Sequence, residues 1–362
     1  MPVVCPQLRE GGGLIPDSDL TRITDADDVP ALMAHNFRRW YARISSTLLR
    51  TVGTRELDAV EDAVQDALLA ALQHWPYRGI PHQPEAWLYQ VARRKLFSHF
   101  AGIATAKRAE PIILAAVAND IPTRWSIEGA STSALGDDKL TMMFLVAHPS
   151  LTGDAPITLL LRTLCGLTVP EIAAALLRPE RTVAQRIVRA KRTLLSLHEP
   201  FAMPGDDEMR ARLDGVLHAI YLLFNEGYAA TRGDSTVRHE LCAEAIRLAL
   251  AIAASHVGAT PKVLALCALL ELQSSRLNAR ERADGTAVPL MQQDRNRRER
   301  PAVSRGLHWL ARAAAGDTIS DYHLQAAIAA EHALTIDNAA RNWRRIRHHY
   351  EQLMERTSSP IV

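Results

Sequence analysis

We predict an all-α protein of two or three domains, because the composition and the spacing of apolar residues both favour helix. Only 5% of the 362 residues are aromatic, whereas alanine, leucine and arginine, which favour helix over strand, are abundant. Apolar residues recur every three or four positions along most of the chain. A chain of this length is also too long for one small core.

The bulk composition indicates a soluble, cytoplasmic protein without a membrane span, a disulfide framework or a metal site. No run approaches the roughly 18 apolar residues of a membrane span, and residues 1–19 lack the pattern of a signal peptide. The four cysteines are widely spaced. We find no catalytic motif, so we expect no cofactor and favour a non-enzymatic role, although an enzyme is left open. The net charge is only +2, so any nucleic-acid binding must come from a local basic surface.

Breaks in the helical pattern divide the chain into five parts. Clusters of Pro, Gly, Ser and Thr interrupt the pattern before residue 137 and again near residue 200. The predicted parts are a flexible N-terminus (1–28), a helical domain (29–106), a linker (107–136), a helix-turn-helix domain (137–200) and a helical C-terminal extension (201–362).

In the first helical domain, a loop separates two predicted helices. Val60 and Ala67 lie on one apolar stripe of the first of these helices. Trp75 and Pro76 are expected to end it, because proline disfavours helical backbone at the residue before it. Pro84 is expected to begin the next helix, where the missing N–H of proline does no harm.

The most specific local signal is a helix-turn-helix between residues 156 and 195. Gly166 is expected to close the helix before it as a C-cap residue. Thr168 then begins a short helix, and Glu171, three residues later, completes a capping box. A turn at residues 178–180 leads into a longer second helix.

The second helix of this motif has a buried stripe and a basic outer face. The stripe is formed by Val183, Ile187, Ala190 and Leu194. A helix in the major groove reads guanine and adenine edges with arginine and glutamine, and it meets phosphates with its later cations. The candidate DNA-binding residues are Arg181, Thr182, Gln185, Arg186, Arg189, Lys191 and Arg192. The alternative is a helical hairpin with a solvated basic face.

Collinear segments of the chain resemble one protein family. Residues 167–173 (LTVPEIA) and 183–191 (VAQRIVRAK) resemble region 4 of extracytoplasmic-function (ECF) sigma factors. Upstream, residues 61–67 (EDAVQDA) and 84–94 (PEAWLYQVARR) are similar to region 2 of that family. A subgroup with a long helical C-terminal extension is matched by residues 213–217 (LDGVL), 221–228 (YLLFNEGY), 241–248 (LCAEAIRL) and 324–330 (LQAAIAA).

The resemblance implies a division of labour between the domains. The helix that contains Asp62 and Asp66 would bind the polymerase clamp, and the second helix of the helix-turn-helix would bind the −35 promoter element. The −10 element would be held as a single strand by aromatic and basic side chains, namely Trp87, Tyr89, Arg93, Arg94 and Lys95. The implied partners are core RNA polymerase and promoter DNA, and a small-molecule ligand or regulatory protein is left open.

The chain departs from the family pattern in both halves. Residues 96–102 (LFSHFAG) replace an aspartate and several arginines, which weakens the expected phosphate contacts at the −10 site. In the extension, residues 296–300 (NRRER) replace an acidic turn that contains tryptophan. The helical repeats that usually end the subgroup are expected to be absent.

Two further features of the extension are given structural interpretations. The motif Phe224-Asn225-Glu226-Gly227-Tyr228 is interpreted as a helix C-cap, with Gly227 left-handed and Asn225 and Glu226 bound to backbone groups; the alternative is a pocket lining. The basic runs at residues 297–300 and 341–347 are interpreted as solvated helix faces, and the alternative is extra contacts with DNA or polymerase.

Two functions are consistent with these patterns. The first is a sigma-factor-like initiation protein that recruits core RNA polymerase to specific promoters and carries a C-terminal regulatory extension. The alternative is a repurposed sigma-like scaffold that binds a small molecule or acts as an enzyme in a specialised pathway. A cavity between the region-2-like domain and the extension would favour the alternative, if it were lined by Trp87, Tyr221, Phe224, Glu226, Tyr228 or histidines. An exposed basic face over residues 181–192 would favour the initiation protein.

Overall fold

The residues that a computed structural model describes are mainly helical. These residues are 29–107, 138–197, 202–232, 235–282, 284–334 and 341–357. Besides helices and turns they contain one isolated β-bridge, between Glu281 and Ala287, which confirms the predicted all-α class. The predicted N-terminal segment and nearly all of the predicted linker lie outside the described residues. No helix in the described ranges combines the length and apolar character needed to cross a bilayer.

The chain divides into two compact units. Of the described residues, the first unit holds 29–44 and 58–107, and the second holds 45–57 together with all residues from 138 onward. The second unit therefore contains both the helix-turn-helix and the extension. The finer domain boundaries drawn from the sequence stay a prediction.

The first unit packs around a group of tryptophans. Its helices are α1 (Val29–Val52, whose last residues belong to the second unit), α2 (Leu57–Arg78) and α3 (Pro84–Lys107). The ring of Trp75 makes edge-on contacts with Trp40 on α1 and Trp87 on α3, at centroid distances of 6.1 and 5.5 Å. Leu88 and Leu96 of α3 are fully buried. Each helix thus supplies an aromatic ring to the same core.

Helix α2 ends one turn later than the sequence predicts. Pro84 begins α3 as expected, but Pro76 lies inside α2 and does not end it. The helix continues to Arg78, and the amide of Gly79, at φ 79°, donates to the carbonyl of Trp75 at 2.9 Å. Proline removes one backbone hydrogen bond, which kinks a helix without necessarily ending it, and the left-handed glycine supplies the actual stop.

The helix-turn-helix part of the second unit consists of four helices. They are α4 (Asp138–Val146), α5 (Ala155–Thr163), α6 (Val169–Ala175) and α7 (Glu180–Leu197). Residues 139–147, which include nearly all of α4, are buried, with Phe144 among the largest fully buried side chains. Because α4 packs on α5 and on the first helix of the extension, it lies in the core that the two parts share.

The extension is built around one helix that is buried along almost its whole length. Its helices are α8 (Asp206–Tyr228), α9 (His239–Ala253), α10 (Pro261–Ser274), α11 (Leu277–Arg280), α12 (Arg300–Ala313), α13 (Asp321–Leu334) and α14 (Trp343–Thr357). Helix α10 is covered by α9, α12 and α13. A helix that is hydrophobic on all sides is typical of the centre of a domain.

Gly227 has a different structural role from the C-cap that the sequence predicts. The expected left-handed C-cap is wrong, because Gly227 lies within α8 and the helix ends at Tyr228 with Ala229 as its C-cap. A Cβ atom at Gly227 would lie 2.8 Å from the amide nitrogen of Cys242 and from the Cβ atom of Leu241. The absent side chain therefore allows α8 and α9 to approach closely.

We expect Gly227→Ala to lower the free energy of unfolding by about 3 kcal/mol, because the added methyl meets backbone that cannot move aside cheaply. Gly215→Ala is the matched control on the same helix, since its Cβ would meet only Ala147, at 3.9 Å. The control should gain up to about 1 kcal/mol from helix propensity. Urea denaturation measures both, and equal effects of the two variants would contradict the close approach.

Candidate nucleic-acid interface

The first helix of the helix-turn-helix begins with the predicted capping box. The amide of Thr168 donates to Oε2 of Glu171 at 2.6 Å, and the hydroxyl of Thr168 accepts from the amide of Glu171 at 3.4 Å. Gly166, at φ 64°, is left-handed just after α5, as expected of a residue that closes a helix. The start of α6 is thus fixed by local contacts alone.

The turn between α6 and α7 sets the direction of the second helix. Leu177 has a φ of 51°, the one left-handed residue other than glycine in the described part of the chain. Helix α7 then begins at Glu180 and buries Val183, Ala190 and Leu194. The predicted stripe is therefore confirmed at three of its positions, and Ile187 on the same stripe is half-buried.

The opposite face of α7 is open to solvent. Its exposed side chains include Arg181, Thr182, Gln185, Val188, Arg189 and Arg192. Several of them line a shallow concavity along the helix. Arginine and glutamine can donate to guanine and adenine edges, and the methyl groups of Val188, which is 57% exposed, can contact thymine methyl groups. Val188 is a candidate contact that the sequence reasoning missed, because it looked for polar side chains only.

Arg186 and Lys191 do not share this full exposure. Nη1 of Arg186 donates to Oδ2 of Asp154 at 2.8 Å, and Arg178 approaches the same carboxylate at 3.5 Å. Asp154 is the N-cap residue of α5, so Arg186 ties α7 to α5 and does not point outward as predicted. Lys191 is half-buried. Arg186 therefore lies on the side of α7 that faces its own domain.

In the first unit, the predicted polymerase-binding and DNA-binding residues meet at one ion pair. Asp62 and Asp66 are exposed on α2, and Arg94 and Lys95 are exposed on α3. Nζ of Lys95 lies 3.5 Å from Oδ2 of Asp66, with both side chains about half exposed. An exposed ion pair of this kind is weak, so either residue can readily exchange its partner for another.

The aromatic residues predicted at the −10 site are only partly accessible. Trp87 and Tyr89 are half-buried. Trp87 lines a shallow concavity with Trp75 and the loop that joins α2 to α3. Arg93 lies over the ring of Phe97, 5.2 Å from its centroid. The structure thus brings Trp87, but not Arg93, to an open recess.

Within the second unit, the extension packs behind the helix-turn-helix and is joined to it by buried ion pairs. Nη1 of Arg238 donates to Oε1 of Glu171 at 2.8 Å, and it lies 3.5 Å from Oε1 of Glu226 on α8. The Glu171 and Glu226 side chains are 5% and 2% exposed. Arg238 therefore connects the capping box to the extension, and nothing in its local sequence indicated this.

A second group of contacts joins α4 to the extension. Nζ of Lys139 donates to Oε1 of Glu244 on α9 at 2.7 Å. Nη1 of the buried Arg212 on α8 donates to the carbonyl of Phe144 at 3.2 Å. Burial alone would raise the pKa of Glu244, but Lys139 and Arg247 outweigh it and lower the pKa to about 2.

The residues of the motif at positions 224–228 make contacts inside the protein. Phe224 is buried, and Oε1 of Glu226 accepts from the amide of Thr231 at 3.0 Å, so the predicted bond from this glutamate to backbone is confirmed. Tyr228 stacks on Phe224 with 5.8 Å between centroids. Asn225 contributes its carbonyl, which accepts from the amide of Ala229. No group of three or more potential metal ligands occurs in the part of the chain that the structure describes.

Comparison with known proteins agrees with this arrangement. Residues 36–103 match the model of sigma-70 region 2, and residues 142–194 match that of sigma-70 region 4. Residues 212–314 match a family of unknown function, DUF6596. An uncharacterized protein of Rhizobium meliloti (strain 1021) is 36% identical over 313 residues, which covers 85% of this chain and 72% of that protein. No solved structure matches.

These matches identify the class of the protein. Region 2 covers α1 to α3, and region 4 covers the helix-turn-helix with its open α7 face. The chain belongs to the sigma-70 family, and its role is that of a sigma-factor-like protein in transcription initiation.

We expect Arg238→Met to lower the free energy of unfolding by about 3 kcal/mol, because the buried carboxylates of Glu171 and Glu226 lose this cation. Arg210→Met is the control, since Arg210 pairs with the fully exposed Asp207 and should cost less than about 1 kcal/mol. Denaturation by guanidinium chloride measures both. Similar losses in the two variants would show that the junction is not held by Arg238.

We expect acid to weaken the protein through Glu244. The pKa of Glu244 is about 2 in the folded protein and 4.5 ordinarily, so its contribution is complete above pH 4.5 and is lost as the pH falls towards 2. Glu244→Gln should therefore be less stable than wild type by on the order of 3 kcal/mol at neutral pH. The difference should shrink through that acid range.

The control for this pH dependence is Glu351→Gln on α14, where the pair with Arg347 is exposed. The free energy of unfolding of this variant should differ from that of wild type by a small amount that changes little with pH. Stability curves at several pH values give the comparison, and a constant difference between wild type and Glu244→Gln would contradict the assignment.

Proposed function

We propose that this protein is an ECF-type sigma factor that recruits core RNA polymerase to specific promoters in the cytoplasm. In this proposal, α7 reads the −35 element, the first unit engages the −10 element and the polymerase clamp, and the C-terminal extension regulates the factor in cis. The observation that carries the proposal is the exposed face of α7, on a helix-turn-helix whose other side is joined to the extension by ion pairs.

The character of the α7 face supports recognition of the −35 element. Arg181, Gln185 and Arg189 lie on successive turns of one exposed face, which is the spacing that a helix in the major groove needs. Val188 adds an exposed apolar group beside these residues. Arg192 follows near the end of the helix, where a cation meets the phosphate backbone. This combination supports base recognition as well as backbone attraction.

The first unit supports a weaker contact at the −10 element. Trp87 offers an aromatic ring beside an open recess, and a flipped or single-stranded base can stack on such a ring. Arg94 is exposed, whereas Lys95 is engaged with Asp66. Because residues 96–102 add no further basic group except His99, we propose that promoter opening depends on few cations.

The extension is proposed to act as a scaffold for region 4. Arg238 and Lys139 join it to the helix-turn-helix from behind, at Glu171 and Glu244. Among the described residues, the α7 side chains proposed to bind DNA stay exposed with the extension in place. Regulation in cis would then work through the position and stability of α6 and α7, and not by covering the DNA-binding face.

The alternative, a scaffold repurposed for a small molecule or for catalysis, has less support. Two of its candidate pocket residues in the extension are engaged elsewhere, because Phe224 is buried and Tyr221 donates to Gln325 at 2.8 Å. The open basic face of α7 has a direct use in the sigma factor and none in the alternative.

The test is run-off transcription with core polymerase, on promoters selected from a random DNA library by the purified protein. We expect a transcript, and we expect Arg189→Ala to weaken promoter binding about tenfold and to reduce the slope of log affinity against log salt. Arg347→Ala, at an 82% exposed position on α14, is the control and should bind as wild type does. A protein that neither binds core polymerase nor yields a transcript would overturn the proposal.

A further inference from the structure

Five arginines of the extension lie close enough to repel one another electrostatically. They come from distant parts of the chain: the segment from Ser275 to α11, the turn that follows residue 294, and the residues before α14. Together they are Arg276, Arg280, Arg295, Arg298 and Arg341, and we call this group the arginine cluster. The solvated faces predicted for residues 297–300 and 341–347 are wrong for Arg298 and Arg341, which face inward.

Tyr228 contacts two members of the arginine cluster. The guanidinium carbon of Arg280 is 3.6 Å from the centroid of the tyrosine ring, and that of Arg276 is 5.6 Å from it. Nη2 of Arg276 also donates to the Tyr228 hydroxyl and to Gln273. Tyr228 thus offsets part of the buried positive charge with its aromatic face and its hydroxyl.

The cluster has more buried donors than partners. Arg276 is 9% exposed and Arg341 is 4% exposed. The Nε atoms of Arg280, Arg298 and Arg341, and Nη2 of Arg298, are buried and have no hydrogen-bond partner among the described residues. The donors that are satisfied reach uncharged acceptors: Nη1 of Arg298 donates to the carbonyl of His332 at 2.9 Å, and Nη1 of Arg341 to Sδ of Met291 at 3.3 Å.

The charges of the cluster repel one another. Burial, followed by Arg295, Arg276 and Arg341, lowers the pKa of Arg298 to about 10. Burial and the same arginines lower the pKa of His332 to about 4, so the imidazole stays neutral. Within the described ranges none of the five arginines forms an ion pair with a carboxylate. Several buried cations without a counter-charge are costly, and an anion is what would stabilise them.

We propose that the arginine cluster is the binding site for a small phosphate-bearing molecule. Guanidinium groups match the oxygens of a phosphate in pairs of parallel hydrogen bonds, and the free Nε and Nη2 donors of Arg298 form such a pair. A monocarboxylate would neutralise one charge of five, whereas a phosphate monoester or diphosphate neutralises two or three. The burial of Arg276 and Arg341 excludes a DNA duplex or a membrane surface, which could not reach them.

The experiment is a thermal unfolding assay of the full chain at constant ionic strength. Inorganic phosphate, pyrophosphate and a nucleoside diphosphate are compared with acetate and with sodium chloride alone. We expect pyrophosphate to raise the unfolding midpoint by about 5 °C near saturation. Acetate should leave the midpoint within about 1 °C of the chloride sample. A larger shift with the nucleotide than with pyrophosphate would identify a nucleotide as the source of the phosphate; equal shifts would identify the free anion.

Variants locate the response. Arg298→Gln and Arg341→Gln should each abolish the shift, and both should fold without ligand because each removes an unpaired buried charge. Arg347→Gln, an exposed arginine on α14, should keep the full shift. Isothermal titration calorimetry with pyrophosphate on the same four proteins gives a second readout. No phosphate-specific shift in wild type, or an equal loss of the shift in the Arg347 variant, would overturn the proposal.

Discussion

The arrangement of the second unit depends on the ion pairs that Arg238 makes with Glu171 and Glu226. Glu171 already caps α6 through Thr168, and Glu226 already accepts from Thr231, so each carboxylate is held in its own part of the chain before Arg238 joins them. Both carboxylates are almost completely buried, and a buried charge is tolerable only with a partner of opposite sign. The position of the helix-turn-helix on the extension is therefore dictated by charge as well as by apolar packing. This explains how α7 can be held firmly while its outer face stays open.

The local parts of the fold could be predicted from the sequence because their causes are local. The capping box of Thr168 and Glu171, the left-handed Gly166 and the start of α3 at Pro84 each depend on residues within one helical turn. The apolar stripe of α7 follows in the same way from a repeat of three and four residues. The failure at Pro76 has a local cause too, since Gly79, three residues further on, supplies the stop that was assigned to the proline.

The parts of the site that could not be predicted involve residues far apart in the chain. Arg186 had the right spacing for the exposed face, but Asp154, 32 residues earlier, accepts from it. Arg238 and Glu171 are separated by 67 residues, and Gly227 is required by Cys242 on the next helix. The arginine cluster shows the same limit: a basic run reads as a solvated face unless the fold that buries it is known. Periodicity indicates which side of a helix is apolar, but it does not indicate which polar residues form hydrogen bonds or ion pairs with each other.

The burial of α10 also determines how the extension can be divided. Helices α9, α12 and α13 all pack on α10, and α14 packs in turn on α13. Removing α12 to α14 would expose apolar side chains such as Leu269 and Leu272 along the length of α10. The extension is thus unlike a solenoid, in which end repeats can be lost one at a time. Its backbone amides in α10 should exchange with solvent only when the helices packed on α10 open together.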